Sequence, residues 1–404
     1  MKLLFPLLLL ITLSHCSFFC SEEETPQNHF TDLFFQIQIL NKTTPTPPKK
    51  CTSSPLATLL QKYYTGHPYQ HANVHRDPAE YDPYNLIFHI GDAEDYLVEA
   101  NETDHGTFCQ VFRGIHKKNR TSLAFKVIKS SATWVLKEIQ ILKDLQDAPN
   151  FLPLREVLMD SGKFGQSWAL AFDFFQFSSL KEMWPTFTKL QLKKRMFETF
   201  KALDYIHSKG IIHRDMKHWN ILKNNKTSEV KVIDFGISDY YLPGKELTPG
   251  VGTIYYQAPE MLLNYAFHDY SVDIWSAGVM FGEMMFRKFY LFQTKRNRDF
   301  TNVRSDKKRL QRTKDQLDAI AEKLGTVELL QYASKFKENM ELSFLSDVDN
   351  HKKIAWKSLV RSHNEHLVDD LGIDLLSKLL VIDHTKRITA KEAMLHKYFD
   401  DVRS

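Results

Sequence analysis

The feature that most constrains this chain is a set of short motifs that follow one another in a fixed order. His213–Asn220 has the sequence His-Arg-Asp-Met-Lys-His-Trp-Asn, and Asp234–Gly236 (Asp-Phe-Gly) begins fourteen residues beyond its last residue. Ala258–Glu260 (Ala-Pro-Glu) and Asp273–Ser276 follow, and Arg387 comes near the end. A single triplet occurs by chance, but the ordered set at these spacings predicts one fold and one site of chemistry.

A second His-Arg-Asp triplet in the chain shows how such a triplet can occur by chance. His75-Arg76-Asp77 repeats the first triplet, yet neither an asparagine nor Asp-Phe-Gly follows it at the corresponding distance. The full set resembles the protein kinase superfamily, whose signature motifs occur in this order. The resemblance implies an α+β, bilobal protein kinase fold at 96–399, with a small β-rich N-lobe at about 96–173 and a larger helical C-lobe at about 177–399.

Local patterns predict the same division. From Tyr96 onward apolar positions alternate, and Leu123–Ile128 is a predicted strand that carries a lysine. Trp134–Gln146 has apolar residues at helical spacing, which favours a helix. Further helices are predicted at Arg195–Ser208 and Ser271–Met285. A strand-rich first lobe therefore precedes a helical one.

The resemblance implies a chemical role for each charged residue of the set. Lys126 would hold the α and β phosphates of a nucleotide, oriented by an ion pair with Glu138. Asp215 would accept or orient the proton of the attacking hydroxyl, and Lys217 would lie against the γ-phosphate. Phosphoryl transfer needs in-line positioning and neutralisation of phosphate charge more than covalent help. Any one of these residues alone is more often a solvated surface charge.

The implied cofactors are ATP and magnesium. Asp234 and Asn220 would coordinate two magnesium ions, because Mg²⁺ prefers oxygen ligands. The implied nucleotide pocket draws on both lobes and contains Gly106, Val111, Ala124, Lys126, Phe172, Leu222 and Ile233. The place of Lys217 in its loop, with Thr253 before Ala-Pro-Glu, is that of serine/threonine kinases. The expected partner is therefore a protein substrate with a Ser or Thr acceptor.

A narrower resemblance is to the casein kinase II catalytic (alpha) subunit family, from about Arg76 to Phe399. It includes the segment before the catalytic domain, which kinases in general do not share. The matching runs are Arg76-Asp77-Pro78-x-x-Tyr81 and onward to Asp95-Tyr96, Lys201–Tyr205, Asp269–Ser271, Phe286–Lys288, Ser362–Val368 and Asp383-His384. A regulatory subunit is a further partner in that family, and the residues leave open whether one binds here.

Two departures from that family concern nucleotide binding. The glycine-rich loop survives as Asp104–Val111 with one of three glycines, Gly106, and glycines let backbone N–H groups approach phosphates closely. Asp104 adds a negative charge, which predicts poor ATP affinity. Phe235 stands where the family carries Trp, as in kinases at large.

A third departure concerns substrate choice. The family phosphorylates acidic sites by means of two basic regions. Here the first region, 130–137, holds one lysine, and Gly250, Ile254 and Gln257 replace bases of the second. Without those charges an acidic substrate has little electrostatic reason to prefer this groove. The hypothesis is that the preference for acidic sites is lost.

A basic insertion runs from Lys295 to Lys314, with nine Lys or Arg against two Asp. The simpler interpretation is a solvated, partly disordered surface loop. The alternative is a docking patch for an acidic partner or for anionic lipid head groups.

The N-terminal residues predict a targeting signal for the secretory pathway. Lys2 precedes the apolar stretch Leu3–Leu13, and small residues follow, so 1–16 is interpreted as a cleaved secretory signal. A signal anchor and a misplaced start codon on a cytosolic or nuclear chain are the alternatives; no transmembrane span is expected, because a span needs about 20 apolar residues. Residues 17–95 form a predicted extension, whose stretch Thr43–Ser54 is a linker rich in Pro, Thr and Lys.

Composition limits the remaining classes. With 53 Lys and Arg against 49 Asp and Glu, the net charge of +4 argues against a nucleic-acid binder. Four cysteines exclude a disulfide scaffold; Cys20 and Cys51 could pair, and Cys109 is as readily a free buried thiol. Four Asn-x-Thr sequons support the secretory address weakly, at Asn41, Asn101, Asn119 and Asn225.

Three functions are consistent with these observations. The first is an active, ATP-dependent serine/threonine kinase of the secretory pathway or the cell exterior. The second is a pseudokinase or scaffold that binds nucleotide weakly, which the glycine-poor loop favours. The third is a cytosolic or nuclear kinase whose N-terminus only resembles a signal.

Overall fold

The computed structural model describes the chain from residue 69 with gaps, over residues 69, 72–73, 76–105, 109–128, 132–146, 148–160, 167–179, 183–224, 226–293, 306–336, 345 and 348–403. Several sequence predictions lie outside the described residues: the signal at 1–16, Asn41, Asn225, Cys16, Cys20, Cys51, Gly106 and 295–305 of the basic insertion. The side chains of Asn101 and Asp104 are likewise outside the description.

An antiparallel sheet of five strands forms the first lobe, in the order β1-β2-β3-β5-β4. Its strands are β1 Tyr96–His105, β2 Cys109–His116, β3 Ser122–Ile128, β4 Leu154–Asp160 and β5 Ser167–Asp173. Side chains of β3 alternate between two faces, as they must in a strand. Leu123 and Phe125 are buried in a small apolar cluster, whereas Ala124 and Lys126 are half-buried on the other face.

Helix α1, Ala132–Asp144, follows β3 and lies two residues earlier at each end than the predicted helix. Its apolar positions Val135, Ile139 and Leu142 are buried, as the spacing predicts. Glu138 lies on the same helix at 3% exposure. A carboxylate at that depth needs a partner of opposite charge.

The second lobe is mainly helical, with α2 Lys189–Ser208, α3 Pro259–Leu262, α4 Ser271–Phe286, α5 Asp306–Leu324, α6 Thr326–Ala333, α7 Asp370–Leu379 and α8 Ala390–Met394. Helix α2 begins six residues before the predicted start at 195, where Thr188 and Gln191 form a capping box. Every residue of α4 is buried, which identifies it as the central helix of this lobe. The bilobal α+β architecture is confirmed.

Two short antiparallel pairs of strands lie between α2 and α3. β6 Ile211–Ile212 pairs with β9 Asp239–Tyr240, and β7 Ile221–Lys223 pairs with β8 Val230–Val232. The two pairs hold the segment 213–220 and the start of the segment after Val232 side by side. The two motifs, His213–Asn220 and Asp234–Gly236, therefore lie at the same edge of the second lobe.

Residues 76–95, the last part of the predicted extension, pack against the domain. Arg76 forms an ion pair with Asp144 at the end of α1, at 3.0 Å. The same carboxylate accepts a hydrogen bond from the Tyr240 hydroxyl at 2.8 Å. Tyr81 is 8% exposed, and its ring meets that of Tyr240 edge-to-face at 5.0 Å. This segment therefore joins α1 to the chain that follows Asp234–Gly236.

The loop predicted for the basic insertion is wrong for 306–314, which is helical and belongs to α5. The reason lies in the apolar residues that follow the basic run. Leu317, Ile320 and Ala321 are fully buried and anchor the helix against the second lobe. A prediction based on the density of charged residues alone gave a loop instead of a helix. An amphipathic helix can carry many charges on its exposed face while its other face is buried.

None of the helices in the part of the chain described here has the length and apolar character that a bilayer crossing requires. Asn119, the one sequon with a described side chain, is exposed in the turn between β2 and β3. Cys109 is half-buried at the start of β2.

Acid is expected to destabilise the fold through His268, which is fully buried. Burial and then the Arg214 guanidinium lower the pKa of its imidazole to about 4. Between about pH 6.5 and pH 4 the His268 imidazole is protonated in the unfolded chain but neutral in the folded chain. The free energy of unfolding therefore falls as the pH falls. A difference of that size corresponds to about 3 kcal/mol.

The measurement is urea unfolding of the native chain and of His268→Asn from pH 7 to pH 4.5. The asparagine amide keeps a donor for the Tyr265 carbonyl, which His268 Nδ1 contacts at 2.9 Å. We expect a shallower loss of stability for that variant. The exposed His89→Asn variant is the control, and equal slopes for all three proteins would contradict the prediction.

Candidate active site

Lys126 on β3 lies between two carboxylates from other elements. Its Nζ is 2.6 Å from Glu138 Oε1 on α1 and 2.8 Å from Asp234 Oδ1 beyond β8. Burial by itself would lower the pKa of this ammonium, but Asp234 and Glu138 outweigh it and raise the pKa. Burial likewise opposes ionisation of Asp234, but Lys126 and then Lys217 hold its pKa below the ordinary value. Both groups therefore stay charged.

The Asp-Phe-Gly turn holds Asp234 in this position. Asp234 has φ +69°, a left-handed conformation that non-glycine residues adopt rarely and that is common at functional sites. The next side chain, Phe235, is buried at 2% exposure. Its ring packs against His213 at 5.0 Å and Phe151 at 5.8 Å between centroids. The buried ring fixes the turn, so the carboxylate beside it faces the lysine.

Asp215 is the centre of a second cluster. Its Oδ2 accepts hydrogen bonds from Lys217 Nζ at 2.7 Å and Asn220 Nδ2 at 3.3 Å. Its Oδ1 accepts from the Thr253 backbone N–H at 2.9 Å and from the Thr253 hydroxyl at 2.8 Å. Lys217 also contacts the Thr253 hydroxyl, at 3.1 Å. The carboxylate is 6% exposed and is oriented from both sides.

A buried carboxylate on α4 anchors the loop that carries Asp215. Asp273 accepts hydrogen bonds from the backbone N–H groups of His213 and Arg214, both at 2.8 Å. The His213 Nε2–H donates to the Ile233 carbonyl at 3.1 Å, while its Nδ1 accepts from the Asp215 backbone N–H at 3.2 Å. The loop is therefore hydrogen-bonded to α4 on one side and, on the other, to Ile233, which directly precedes Asp234.

Arg214, buried in the same loop, links three elements. Its guanidinium lies 3.3 Å from Asp239, and Lys137 of α1 lies 2.8 Å from the same carboxylate. Burial opposes ionisation of Asp239, but Arg214 and Lys137 keep its pKa below the ordinary value. This internal anion neutralises the arginine and connects the loop to α1.

The residues predicted for a nucleotide pocket fall into two sets. Val111, Ala124 and Phe172 lie on β2, β3 and β5, where Val111 is paired with Lys126 and Ala124 with Phe172. Leu222 lies on β7, and Ile233 directly follows β8. All five are half-buried, as side chains that line an open cleft would be. Gly106 lies outside the described residues.

Backbone hydrogen bonds join the segments that carry these residues. After β5, the Ser178 backbone N–H donates to the carbonyl of Lys223 on β7, at 3.0 Å. On the other side, the Ile233 backbone N–H donates to the Asn220 carbonyl at 2.9 Å. Lys126 lies on the same strand as Ala124, and Asn220, which contacts Asp215, is hydrogen-bonded to Ile233, so each charged cluster adjoins one of the two apolar sets.

Sequence reasoning found the charged residues but missed three of their partners. It assigned no role to Asp239, and it did not pair Asp273 with the backbone of the loop at 213–214. It used Thr253 as a marker of acceptor type, whereas the structure adds two hydrogen bonds to Asp215. The motif Asp273–Ser276 was a signal for one of these contacts, but no local pattern indicates the pairing of Arg214 with Asp239.

Comparison with known families gives one finding. A family model described as the protein kinase domain matches residues 101–399 of this chain. The match begins within β1, extends beyond α8, and covers both charged clusters and both apolar sets.

Proposed function

We propose that this chain, which belongs to the protein kinase family, is an active kinase that transfers the γ-phosphoryl group of ATP to Ser or Thr side chains of proteins. One observation carries the proposal: Lys126 contacts Glu138 and Asp234 together, at 2.6 and 2.8 Å. In protein kinases the lysine–glutamate pair and the metal-binding aspartate must both be in place for activity.

The donor set fits magnesium. The Asn220 amide nitrogen donates hydrogen bonds to the Asp215 carbonyl, at 2.8 Å, and to the Asp215 carboxylate. The amide oxygen of Asn220 is therefore the atom that would bind a cation. Asp234 supplies a carboxylate that stays ionised. Amide and carboxylate oxygens are hard ligands, which Mg²⁺ prefers. Bound magnesium would neutralise phosphate charge between these two residues.

The chain's own residues would then do three things. Lys126, held by Glu138, would bind nucleotide phosphates in place. Asp215 would orient the acceptor hydroxyl and receive its proton, because its carboxylate is buried and fixed by four hydrogen bonds. Lys217, which contacts Asp215 now, would move its charge toward the transferred phosphoryl group.

The acceptor type and the narrower kinship are supported by separate features. The acceptor type is supported by the contact of Lys217 with Thr253 at 3.1 Å, because these two positions resemble those of serine/threonine kinases. Packing of Arg76 and Tyr81 against the domain supports kinship with the casein kinase II alpha family, whose resemblance includes this segment. Binding of a regulatory subunit remains part of that proposal.

The second candidate is a pseudokinase or scaffold with weak nucleotide binding. The glycine-poor sequence Asp104–Val111 favours it, because one glycine remains where the family has three. The ion pairs of Lys126 oppose it, since a chain that had lost transfer would have no need of that arrangement.

The deciding experiment measures transfer of labelled γ-phosphate from ATP to Ser, Thr and Tyr acceptor peptides, with magnesium and with EDTA. We expect magnesium-dependent labelling of Ser or Thr peptides and none of Tyr peptides. An Asp215→Asn preparation provides the blank. Binding of nucleotide without labelling above that blank would support the pseudokinase instead.

The proposed place of action is the secretory pathway or the cell exterior, supported by the sequence at 1–16 and the exposed Asn119. Glycosidase treatment of the protein from its natural source tests it by a gel shift. An unchanged mobility would favour the cytosolic or nuclear alternative.

A further inference from the structure

Outside the candidate active site, three metal-ligating side chains lie together where α5 meets the segment 348–351. They are Asp318 on α5, and Asp349 and His351 on that segment. One carboxylate oxygen from each aspartate and one ring nitrogen of the histidine all lie within 4.8 Å of one another. Imidazole nitrogen and carboxylate oxygen are both zinc ligands in proteins. The three side chains therefore combine the chemistry and the proximity that a zinc site needs.

Asp318 is a buried carboxylate, at 6% exposure. Its only ion-pair contact in the described part of the chain is His351, which is charged only when protonated. Oδ1 of Asp318 accepts a hydrogen bond from the Asp349 backbone N–H at 3.0 Å and lies 2.9 Å from His351 Nε2. Both contacts are made to the same oxygen, so Oδ2 can bind a cation while Oδ1 keeps its backbone partner. Buried carboxylates are normally paired with a cation or bound to a metal.

The segment that carries the other two ligands is held in place by Thr326, the first residue of α6. The Thr326 hydroxyl donates to the Asp349 carbonyl at 2.6 Å and accepts from the His351 backbone N–H at 2.9 Å. The Thr326 backbone N–H donates to the His351 carbonyl at 3.1 Å. Only Gly325 separates α6 from α5, so this backbone is fixed relative to Asp318. Ligands that are positioned before binding lose less conformational freedom when a cation arrives.

The exposure of the three ligands increases from α5 outward. Asp318 is buried, the side chain of His351 is 24% exposed, and Asp349 is exposed. A bound cation would therefore have protein on one side and water on the other, and a water molecule would complete a tetrahedral shell. With metal–ligand bonds of about 2.0–2.2 Å, ligand atoms in such a shell lie about 3.3–3.6 Å apart. Rotation of the exposed Asp349 side chain would supply the approach that remains. The cation would replace contacts that these side chains make now, so none of them has to be without a partner.

We propose that Asp318, Asp349 and His351 bind one divalent transition-metal ion, and that Zn²⁺ fits this set best. An imidazole nitrogen in the set favours Zn²⁺ over Mg²⁺ and Ca²⁺, which take oxygen ligands. The ion would link α5 to the segment 348–351 and stabilise the folded chain, because the unfolded chain does not hold the three ligands together. The inference does not depend on the proposed function, and the site is separate from the proposed magnesium ligands.

The test measures zinc binding to the native chain by isothermal titration calorimetry, after EDTA treatment and removal of the chelator. Excess Mg²⁺ is present throughout, so that sites with oxygen ligands alone are filled. Asp318→Asn, Asp349→Asn and His351→Asn each remove one proposed ligand. His396→Asn is the matched control, because His396 also contacts an aspartate, Asp374, at 2.8 Å. Zinc K-edge X-ray absorption of the loaded chain identifies the ligand atoms.

We expect one zinc ion per native chain, with one imidazole and otherwise oxygen ligands. Asp318→Asn and His351→Asn should weaken binding by about 100-fold or more, since even the loss of a partner that orients a ligand costs about 10- to 100-fold. Asp349→Asn should weaken it by about tenfold, because an amide oxygen without charge replaces an exposed carboxylate. His396→Asn should leave it unchanged. Zinc should raise the thermal unfolding midpoint of the native chain but not that of His351→Asn.

His351→Cys separates the loss of a ligand from damage to the fold. A thiolate is also a zinc ligand, so this variant should retain zinc binding, with a sulfur ligand in its absorption spectrum. Three results would each overturn the inference: no zinc binding by the native chain in excess Mg²⁺, equal affinity in the native chain and His351→Asn, or a ligand shell without imidazole. An equal loss of affinity in His396→Asn and His351→Asn would also overturn it, because zinc would then bind surface histidines without selection.

Discussion

An Asp215→Asn variant is expected to lose about 10²- to 10⁴-fold in phosphate transfer, the range by which a positioned general base accelerates such a step. Each carboxylate oxygen of Asp215 now accepts two hydrogen bonds, from Lys217 and Asn220 on one side and Thr253 on the other. An amide replaces one of these acceptors by a donor. The variant therefore removes the proton acceptor. It also directs an N–H group at Lys217 and Asn220 or at Thr253, which donate hydrogen bonds themselves.

The measurement is the steady-state rate with a saturating Ser/Thr peptide and Mg-ATP, together with nucleotide affinity by calorimetry. Affinity should change little, because Asp215 makes no contact with Lys126 or Glu138 in the described residues. Asp401→Asn, at an exposed ion pair with Lys193, is the matched control and should retain its rate within about twofold. A rate within tenfold of the native value in Asp215→Asn would show that the carboxylate is not the base.

The residues of the candidate site could be proposed from the sequence because the motifs that carry them stand at fixed spacings. Lys126 and Glu138 are twelve residues apart on a strand and the next helix, so their meeting follows from local structure. Asp234 is 108 residues from Lys126, and only the resemblance to a known fold could join them. No such guide existed for the contact of Arg214 with Asp239, because many acidic residues could have served equally well.

The helix α5 could not be predicted for a different reason. The run 295–314 is dominated by charge, and the apolar residues that hold the helix in place, such as Leu317 and Ile320, come after it. Its orientation depends on packing against the turn Ile254–Tyr256, which is far away in sequence. The approach of Arg309 to Gly250, where an added Cβ would lie 2.7 Å from a terminal nitrogen of the guanidinium, follows from that packing and not from the local sequence.

The pairing of Glu260 with Arg387 could not be predicted from the sequence either, although both residues belong to the motifs described above. They are 127 positions apart, and their side chains are completely buried. The guanidinium uses all five N–H groups: two bind Glu260, at 2.5 and 2.7 Å, and the others bind backbone carbonyls of Val381, Ser271 and Ile382. It also lies over the Trp275 ring, 5.0 Å from its centroid.

Breaking this pair from one side is expected to cost about 3–5 kcal/mol in the free energy of unfolding, because an uncompensated charge stays buried. Arg387→Met removes the arginine and leaves the Glu260 carboxylate at zero exposure, and three carbonyls lose their donor as well. Arg387→Lys keeps the charge but offers three donors in place of five, so it should fall between the native chain and Arg387→Met.

Urea unfolding of the native chain, of Arg387→Lys, of the single variants Glu260→Met and Arg387→Met, and of the double variant that combines the last two separates charge from packing. The double variant should recover a large part of the loss, since a buried ion pair replaced by apolar side chains of similar volume is often close to neutral. Lys378→Met at an exposed pair with Asp374 is the control and should shift stability by less than about 1 kcal/mol. If the double variant were as unstable as the sum of the two single variants, the pair would be acting through shape alone, and the argument from buried charge would fail.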